Sequence, residues 1–271
     1  MNQKLVIKDI MVFLYLHSKI NFLLFFNKPK TTLKDLIPTN YVDIHSHLLP
    51  NIDDGAQNFQ DTIFLIQSLK NMGMSEFITT PHIYETFWKN TKLEIQEKER
   101  KTISNLKLES IETPLKAAAE YFIDDHFIDL FKKGEILTLK DNYVLVEMSY
   151  LNAPIHIYNT IFDLQVAGYK PVLAHPERYA YYHKNFNDYL KLKNAGCLFQ
   201  LNLLSTVGYY GESVFEAAKM LLNKGLIDFV GSDVHHKKHI DWFDKKVLLK
   251  DLSPFKESIS ANTFFSQDSQ K

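Results

Sequence analysis

Tyr41-Val42-Asp43-Ile44-His45-Ser46-His47 is the stretch whose reading decides the fold. A short apolar run gives way to two imidazoles one residue apart, as at the end of a buried strand. A strand period of two sets Asp43, His45 and His47 on one side, opposite Val42 and Ile44. His45 and His47 can then grip one ion together, while Asp43, one step deeper, is placed to orient an imidazole from behind.

The same arrangement recurs along the chain. Strand-like apolar runs follow at 76–80, 115–121, 143–148, 170–174, 197–203 and 228–232. Gly73, Gly134, Gly168, Gly196 and Gly225 each follow a helix-like segment and precede one of these runs, the pattern of a helix closed by a glycine before the next strand. Residues 60–72, with Ile63, Ile66, Leu69 and Met72 on one stripe, read as a helix, as do 91–108 and 211–223. Seven strands alternating with helices imply an α/β fold with parallel pairing, and a closed or nearly closed TIM-like barrel is the simplest arrangement. The expected domain spans 35–257, with an N-terminal extension, 1–34, and a polar, loose C-terminal tail, 258–271.

Composition narrows the function. A formal charge of -1 and a pI near 6.8 provide no overall field for nucleic acid or an acidic membrane, so any affinity for a phosphorylated partner must be local. Lysine supplies nearly all the basic charge, and Arg100 and Arg178 are the two arginines of the chain. The single cysteine, Cys197, excludes an internal disulfide and fits a reducing, cytoplasmic setting. It also argues against thiol-based tyrosine phosphatase chemistry, which needs an arginine six positions further on, where Leu203 stands. Residues 10–26 are apolar and aromatic but interrupted by His17, Ser18, Lys19 and Asn21, too short for a transmembrane span and suited to an accessory helix or a peripheral membrane contact.

The strand ends carry the chemistry. They read Asp43 to His47, Pro81-His82, Glu120, Glu147, His175 and Asp233-Val234-His235, with Asp53 and Asp54 in the first loop. Parallel strands of a barrel present all their C-terminal ends on one face, so these residues converge. A lone histidine is usually a core or surface residue; five of the eleven histidines at strand ends beside carboxylates are not a scatter. Imidazole and carboxylate without thiolate suit manganese, iron or zinc, and the number of ligands suits two or three ions that activate water and hold phosphate oxygens. Arg178, three residues after His175, offers a planar fork for phosphate. Tyr84, Phe87 and Trp88 provide either a hydrophobic contact or a platform for a substrate ring. His126, His156, His183 and His239 lack a strand-end position and read as structural.

Asp43 to Asp54, Thr80-Pro81-His82, Ala119-Glu120-Tyr121, His175 to Tyr179 and Gly231 to His235 resemble the PHP superfamily, named for polymerase and histidinol phosphatase, and within it the bacterial manganese-dependent protein-tyrosine phosphatases of capsule and exopolysaccharide loci. The resemblance runs from about residue 35 to residue 240. It implies a distorted (β/α)7 barrel and a trinuclear Mn2+ centre held by His45, His47, Asp54, His82, Glu120, Glu147, His175, Asp233 and His235. Arg178 is implied to bind phosphate, with Asp54 and His235 sharing in catalysis. The implied substrate is a phosphotyrosine protein, the tail of a bacterial tyrosine kinase controlling polysaccharide export. Where some relatives carry a further arginine, this chain has His236-Lys237-Lys238-His239, which departs from a second arginine clamp and leaves open whether Lys237 or Lys238 replaces it. The rival readings are a small-molecule phosphatase such as one acting on histidinol phosphate, and a non-catalytic metal-binding docking module.

Overall fold

The computed structural model of the chain describes residues 31–267. Almost all of the proposed N-terminal extension, including the segment 10–26, lies outside the described residues. The strands are β1 (Tyr41–Asp43), β2 (Met74–Thr79), β3 (His82–Ile83), β4 (Leu115–Ala117), β5 (Glu120–Phe122), β6 (Tyr143–Glu147), β7 (Lys170–Ala174), β8 (Leu198–Asn202) and β9 (Phe229–Gly231). All of their pairings are parallel, in a sheet ordered β1-β2-β4 and a sheet ordered β3-β5-β6-β7-β8-β9. The expected run 115–121 is split in two, and a short further strand, β3, follows the run expected at 76–80. Pro81, which has no N–H to donate, separates β2 from β3, and residues 118–119 separate β4 from β5. The end of the first strand meets the end of the last through a parallel bridge between Ser46 and Val234. There Asp233 N–H donates to His45 O at 2.7 Å and His47 N–H to Val234 O at 3.0 Å.

The helices are α1 (Phe59–Asn71), α2 (Lys92–Leu108), α3 (Asp125–Lys132), α4 (Ile157–Val166), α5 (Phe186–Asn194), α6 (Glu212–Asn223), α7 (Lys237–Trp242) and α8 (Ser253–Ala261). Asn58 caps α1 through its side chain, and Thr91 with Glu94 forms a capping box on α2. Helices α1, α3, α4, α5 and α6 end two residues before Gly73, Gly134, Gly168, Gly196 and Gly225, all at positive φ, so each glycine turns the chain back toward the sheet. Strand faces alternate: Leu145 and Val172 belong to a compact cluster with Val42, Ile44, Ile78 and Phe229, while Val144, Val146 and Leu173 join the larger core with the helices.

The reading of 258–271 as a loose tail is corrected for its described part. Helix α8 and the 3-10 turn Asn262–Phe265 are packed, with Ser258, Ile259, Asn262 and Phe265 buried. Asn262 hydrogen-bonds Val230 at both its N–H, 3.1 Å, and its carbonyl, 2.7 Å, and also reaches Val42 O at 3.0 Å. At the other end of the domain, Leu33 is fully buried and donates its N–H to Lys245 O, so the packed unit begins at Thr32.

Candidate metal centre

The strand C-termini bring together all nine expected ligands. Glu120, fully buried at the start of β5, sits at the middle. Its Oε2 lies 3.1 Å from His45 Nε2, 3.5 Å from His47 Nε2 and 3.3 Å from His82 Nδ1, and its Oε1 lies 3.0 Å from His175 Nε2. Asp233 Oδ1 faces His45, His47 and His235 at 3.3, 3.5 and 3.4 Å. Glu147 Oε1 stands 3.1 Å from His82 Nδ1, and Asp54 Oδ1 stands 3.5 Å from both His82 and His235. Three overlapping sets of ligand atoms, each within 4.8 Å of one another, result: His47, Asp54, His82 and His235; His45, His47, Glu120 and Asp233; and His82, Glu120 and Glu147. His175 falls outside these sets but is tied to Glu120.

Tautomers can be read from the partners. Gln200 Nε2 donates to Leu201 O, which turns its Oε1 toward His45 Nδ1 at 2.7 Å and puts the proton on that nitrogen. Asp53 Oδ2 does the same for His47 Nδ1 at 2.7 Å. In the neutral rings, both Nε2 lone pairs therefore point at one another across 3.4 Å, beside Glu120 and Asp233. Lone pairs and carboxylates converging in a buried space need a cation between them. Among the described residues, His82 Nδ1 and His175 Nδ1 are buried without hydrogen-bond partners. The donor set is entirely nitrogen and oxygen, so the residues fit one or more divalent ions of the manganese, iron or zinc type.

Electrostatics agree. Burial alone would raise the Glu120 carboxyl, but the His45 and His82 rings outweigh it and hold it well below the ordinary range. Burial would lower His82, but Glu120 and Glu147 raise it to about 9. The imidazoles and carboxylates are thus packed closely enough to bias one another strongly. The backbone is strained at the same place: His175 and Asp233 have φ of 37° and 50°, the left-handed region that costs non-glycine residues about 1 kcal/mol or more. Gly231 permits β9 to pass close to the ligands, since a Cβ there would meet His45 Cβ at 2.6 Å.

Arg178 reaches the centre. Its NH1 donates to Asp233 Oδ2 at 2.9 Å. Among the described residues, it is the basic side chain other than histidine that lines a pocket of about 370 Å³ over the candidate ligands. Lys237 and Lys238 do not line that pocket; their Nζ atoms lie 5.9 and 5.8 Å from the rings of Phe64 and Tyr209. Tyr84, Phe87, Trp88, Phe122, Tyr150 and Leu151 form much of the wall. Trp88 stacks on His82 at 4.7 Å and 19°, and Tyr84 on Phe122 at 3.9 Å and 17°, so the aromatic loop both packs on a ligand and borders the cavity. His183 Nε2 pairs with Glu177 O, and His239 Nδ1 accepts the His235 N–H.

The expected role of Asp43 is corrected. β1 ends at Asp43, so the strand period stops before His45, and the carboxylate instead accepts from Ser232 N at 2.9 Å and Ser232 Oγ at 2.6 Å. It ties the first strand to the last, while Gln200 and Asp53 orient the imidazoles. Gln200 carries no motif of its own; its β8 strand end was the one without a metal-capable side chain.

Residues 41–241 match the protein-family model for capsular polysaccharide synthesis, CpsB/CapC. The tyrosine-protein phosphatase YwqE of Bacillus subtilis (strain 168) is 30% identical over 208 residues, covering 76% of this chain and 82% of that protein. The tyrosine-protein phosphatase CpsB of Streptococcus pneumoniae is 26% identical over 201 residues, covering 72% and 83%. A chain from the crystal structures of YwqE from Bacillus subtilis and CpsB from Streptococcus pneumoniae, described as unique metal-dependent tyrosine phosphatases, superposes with a TM-score of 0.70 at 27% identity, covering 83% of this chain and 88% of that one. With the match spanning the first ligand strand to the segment past the last ligand, this chain belongs to the CpsB/CapC family of capsular polysaccharide synthesis.

Proposed function

We propose that this chain is a metal-dependent phosphomonoesterase that removes phosphate from tyrosine side chains of a protein. The observation that carries the reading is the convergence of eight candidate nitrogen and oxygen ligands, with His175 beside them on Glu120, beneath an aromatic-walled pocket with Arg178 in its wall. The family adds the substrate: the relatives that match over most of their length are named tyrosine-protein phosphatases.

In this reading His45, His47, Asp54, His82, Glu120, Glu147, His175, Asp233 and His235 hold two or three divalent ions, with manganese the expected metal. Ions bound there would supply Lewis acidity to phosphate oxygens and an activated water. The chain's own work is positional. Asp53 and Gln200 fix the His47 and His45 tautomers so that the ligand lone pairs face inward. Arg178 brings a guanidinium to phosphate oxygens whose charge develops in flight. The wall of Tyr84, Phe87, Trp88 and Phe122 accepts an aryl group and excludes water from its sides. Tyrosinate, with an ordinary pKa of about 10, leaves without a strong protein acid, which favours aryl over alkyl phosphates.

We read the two sheets as one distorted barrel of seven strand segments. β3 resumes β2 and β5 resumes β4, and the Ser46–Val234 bridge sets the first segment beside the last. The substrate we infer is a bacterial tyrosine kinase acting in capsular polysaccharide synthesis, met in the cytoplasm. Among the described residues no helix is long and apolar enough to cross a membrane.

A panel of a phosphotyrosine peptide, a phosphoserine peptide and histidinol phosphate, offered to the manganese-loaded protein, tests the assignment. Phosphotyrosine should be turned over fastest. Preference for histidinol phosphate would replace the reading with a small-molecule phosphatase, and an inert protein with metal bound would make it a docking module.

A further inference from the structure

Arg178 is held against two aromatic rings. Its guanidinium carbon lies 4.9 Å from the ring centre of Tyr150 and 4.3 Å from that of Tyr210. The rings come from different parts of the chain, Tyr150 from the loop after β6 and Tyr210 from the segment between the 3-10 turn Leu203–Val207 and α6. Each is itself anchored. Tyr150 stacks on His175 at 5.9 Å and 24° and on Tyr179 at 5.6 Å and 30°. The Tyr210 hydroxyl accepts from Asn202 Nδ2 at 2.9 Å, and the same nitrogen donates at 2.8 Å to Asp233 Oδ2, the atom that receives Arg178 NH1. Ring, amide, carboxylate and guanidinium thus close a circuit.

A guanidinium against ring faces has its plane set by them, while all five N–H donors stay in that plane. Among the described residues, Asp233 is the only hydrogen-bond acceptor of the Arg178 side chain, so most donors are left to whatever enters the pocket. Without the rings, a long flexible side chain with one tether would sample other orientations and lose the fork geometry that phosphate rewards.

We propose that Tyr150 and Tyr210 are positioning residues of the reaction, their ring faces fixing the Arg178 guanidinium so that its unengaged N–H edge meets the substrate phosphate. This rests on the reading of the site as a phosphatase centre with Arg178 on phosphate. Neither tyrosine is among the metal ligands, and the proposal needs no proton from either hydroxyl.

The test is a pair of mutant cycles on a phosphotyrosine peptide at matched manganese content: Tyr150→Leu and Tyr210→Leu, each made in the wild-type and in the Arg178→Ala protein. With Arg178 present, each leucine variant should lose about threefold to thirtyfold in kcat/KM, the range of a partly desolvated cation–ring contact. Inhibition by inorganic phosphate should weaken in parallel. In the Arg178→Ala background the same changes should cost less than about twofold, because the group they position is gone. Tyr150→Phe, which keeps the ring, should stay within about twofold of wild type. Equal losses with and without Arg178, or no loss when Arg178 is present, would overturn the proposal. Near wild-type kinetics for Arg178→Ala alone would instead remove the phosphate-binding reading beneath it. Tyr150 is partly exposed, 44%, so its cycle decides the question even if Tyr210→Leu fails to fold.

Discussion

Asp53 shows how much of the centre depends on residues that hold no ion. Its Oδ2 accepts from His47 Nδ1 at 2.7 Å and from His82 N at 3.1 Å, and its Oδ1 accepts from Gly55 N at 2.9 Å. Both oxygens are acceptors for fixed donors, so the amide of an Asp53→Asn variant must turn its NH2 toward one of them. Such orienting partners are typically worth about 10- to 100-fold in metal affinity. Asp53→Asn should weaken manganese binding by that order in a chelator competition; wild-type affinity would show that His47 is held by the fold alone. Cys197 makes the opposite case. It is buried and burial pushes its thiol up to about 12, so it stays protonated at neutral pH, and it does not line the pocket. Cys197→Ala should keep kcat/KM near wild type while costing about 1 kcal/mol of stability. Loss of turnover with fold and metal content intact would return a thiol mechanism to consideration. The candidate ligands were legible because histidine at a strand end is rare enough for five to stand out. Gln200 was not, because an uncharged amide in an apolar strand looks like any satisfied core polar group, and its role appears only when β8 is placed beside His45.

At the scale of elements, glycine-closed helices and apolar runs were readable because both are local patterns. The break at Pro81 was written in the residue itself, whereas the break at 118–119 lies in a run of alanines that carries no such signal. Asp43 was misjudged for a related reason: a period of two holds only while the strand lasts, and β1 stops at Asp43. Helix α8 was missed because it straddles residue 257, beyond which the sequence reads as a polar tail, so its buried Phe255, Ser258 and Ile259 are divided between domain and tail. In the turn that follows, Asn262 is the clearest buried group. Fully buried, it satisfies both the N–H and the carbonyl of Val230, and hydrophobic patterning cannot see a buried amide. Asn262→Leu would take away the partner of the Val230 N–H and leave the Val230 carbonyl to the Tyr41 hydroxyl at 3.3 Å, and should cost at least about 2 kcal/mol in urea unfolding. A change within about 0.5 kcal/mol would mean that α8 is an appendage, as its composition first suggests.

For the whole molecule, parallel strands gather residues nearly two hundred positions apart onto one face, and that gathering is what the function requires. Sequence supplied the ligand types and their strand-end placement; it could not supply the overlap of three ligand sets through His47, His82 and Glu120, which depends on how the strands splay. In the proposed centre shared ligands would tie the ions to one another, so it should fill and empty as a unit. The most direct measurement is phosphate release from a phosphotyrosine peptide by the protein stripped by a strong chelator and then titrated with manganese, with metal content determined at each step. The stripped protein should be inactive, and activity should return with more than one manganese per chain and more fully than with magnesium, which has little affinity for imidazole. Undiminished turnover by a demonstrably metal-free protein would contradict the account at its centre.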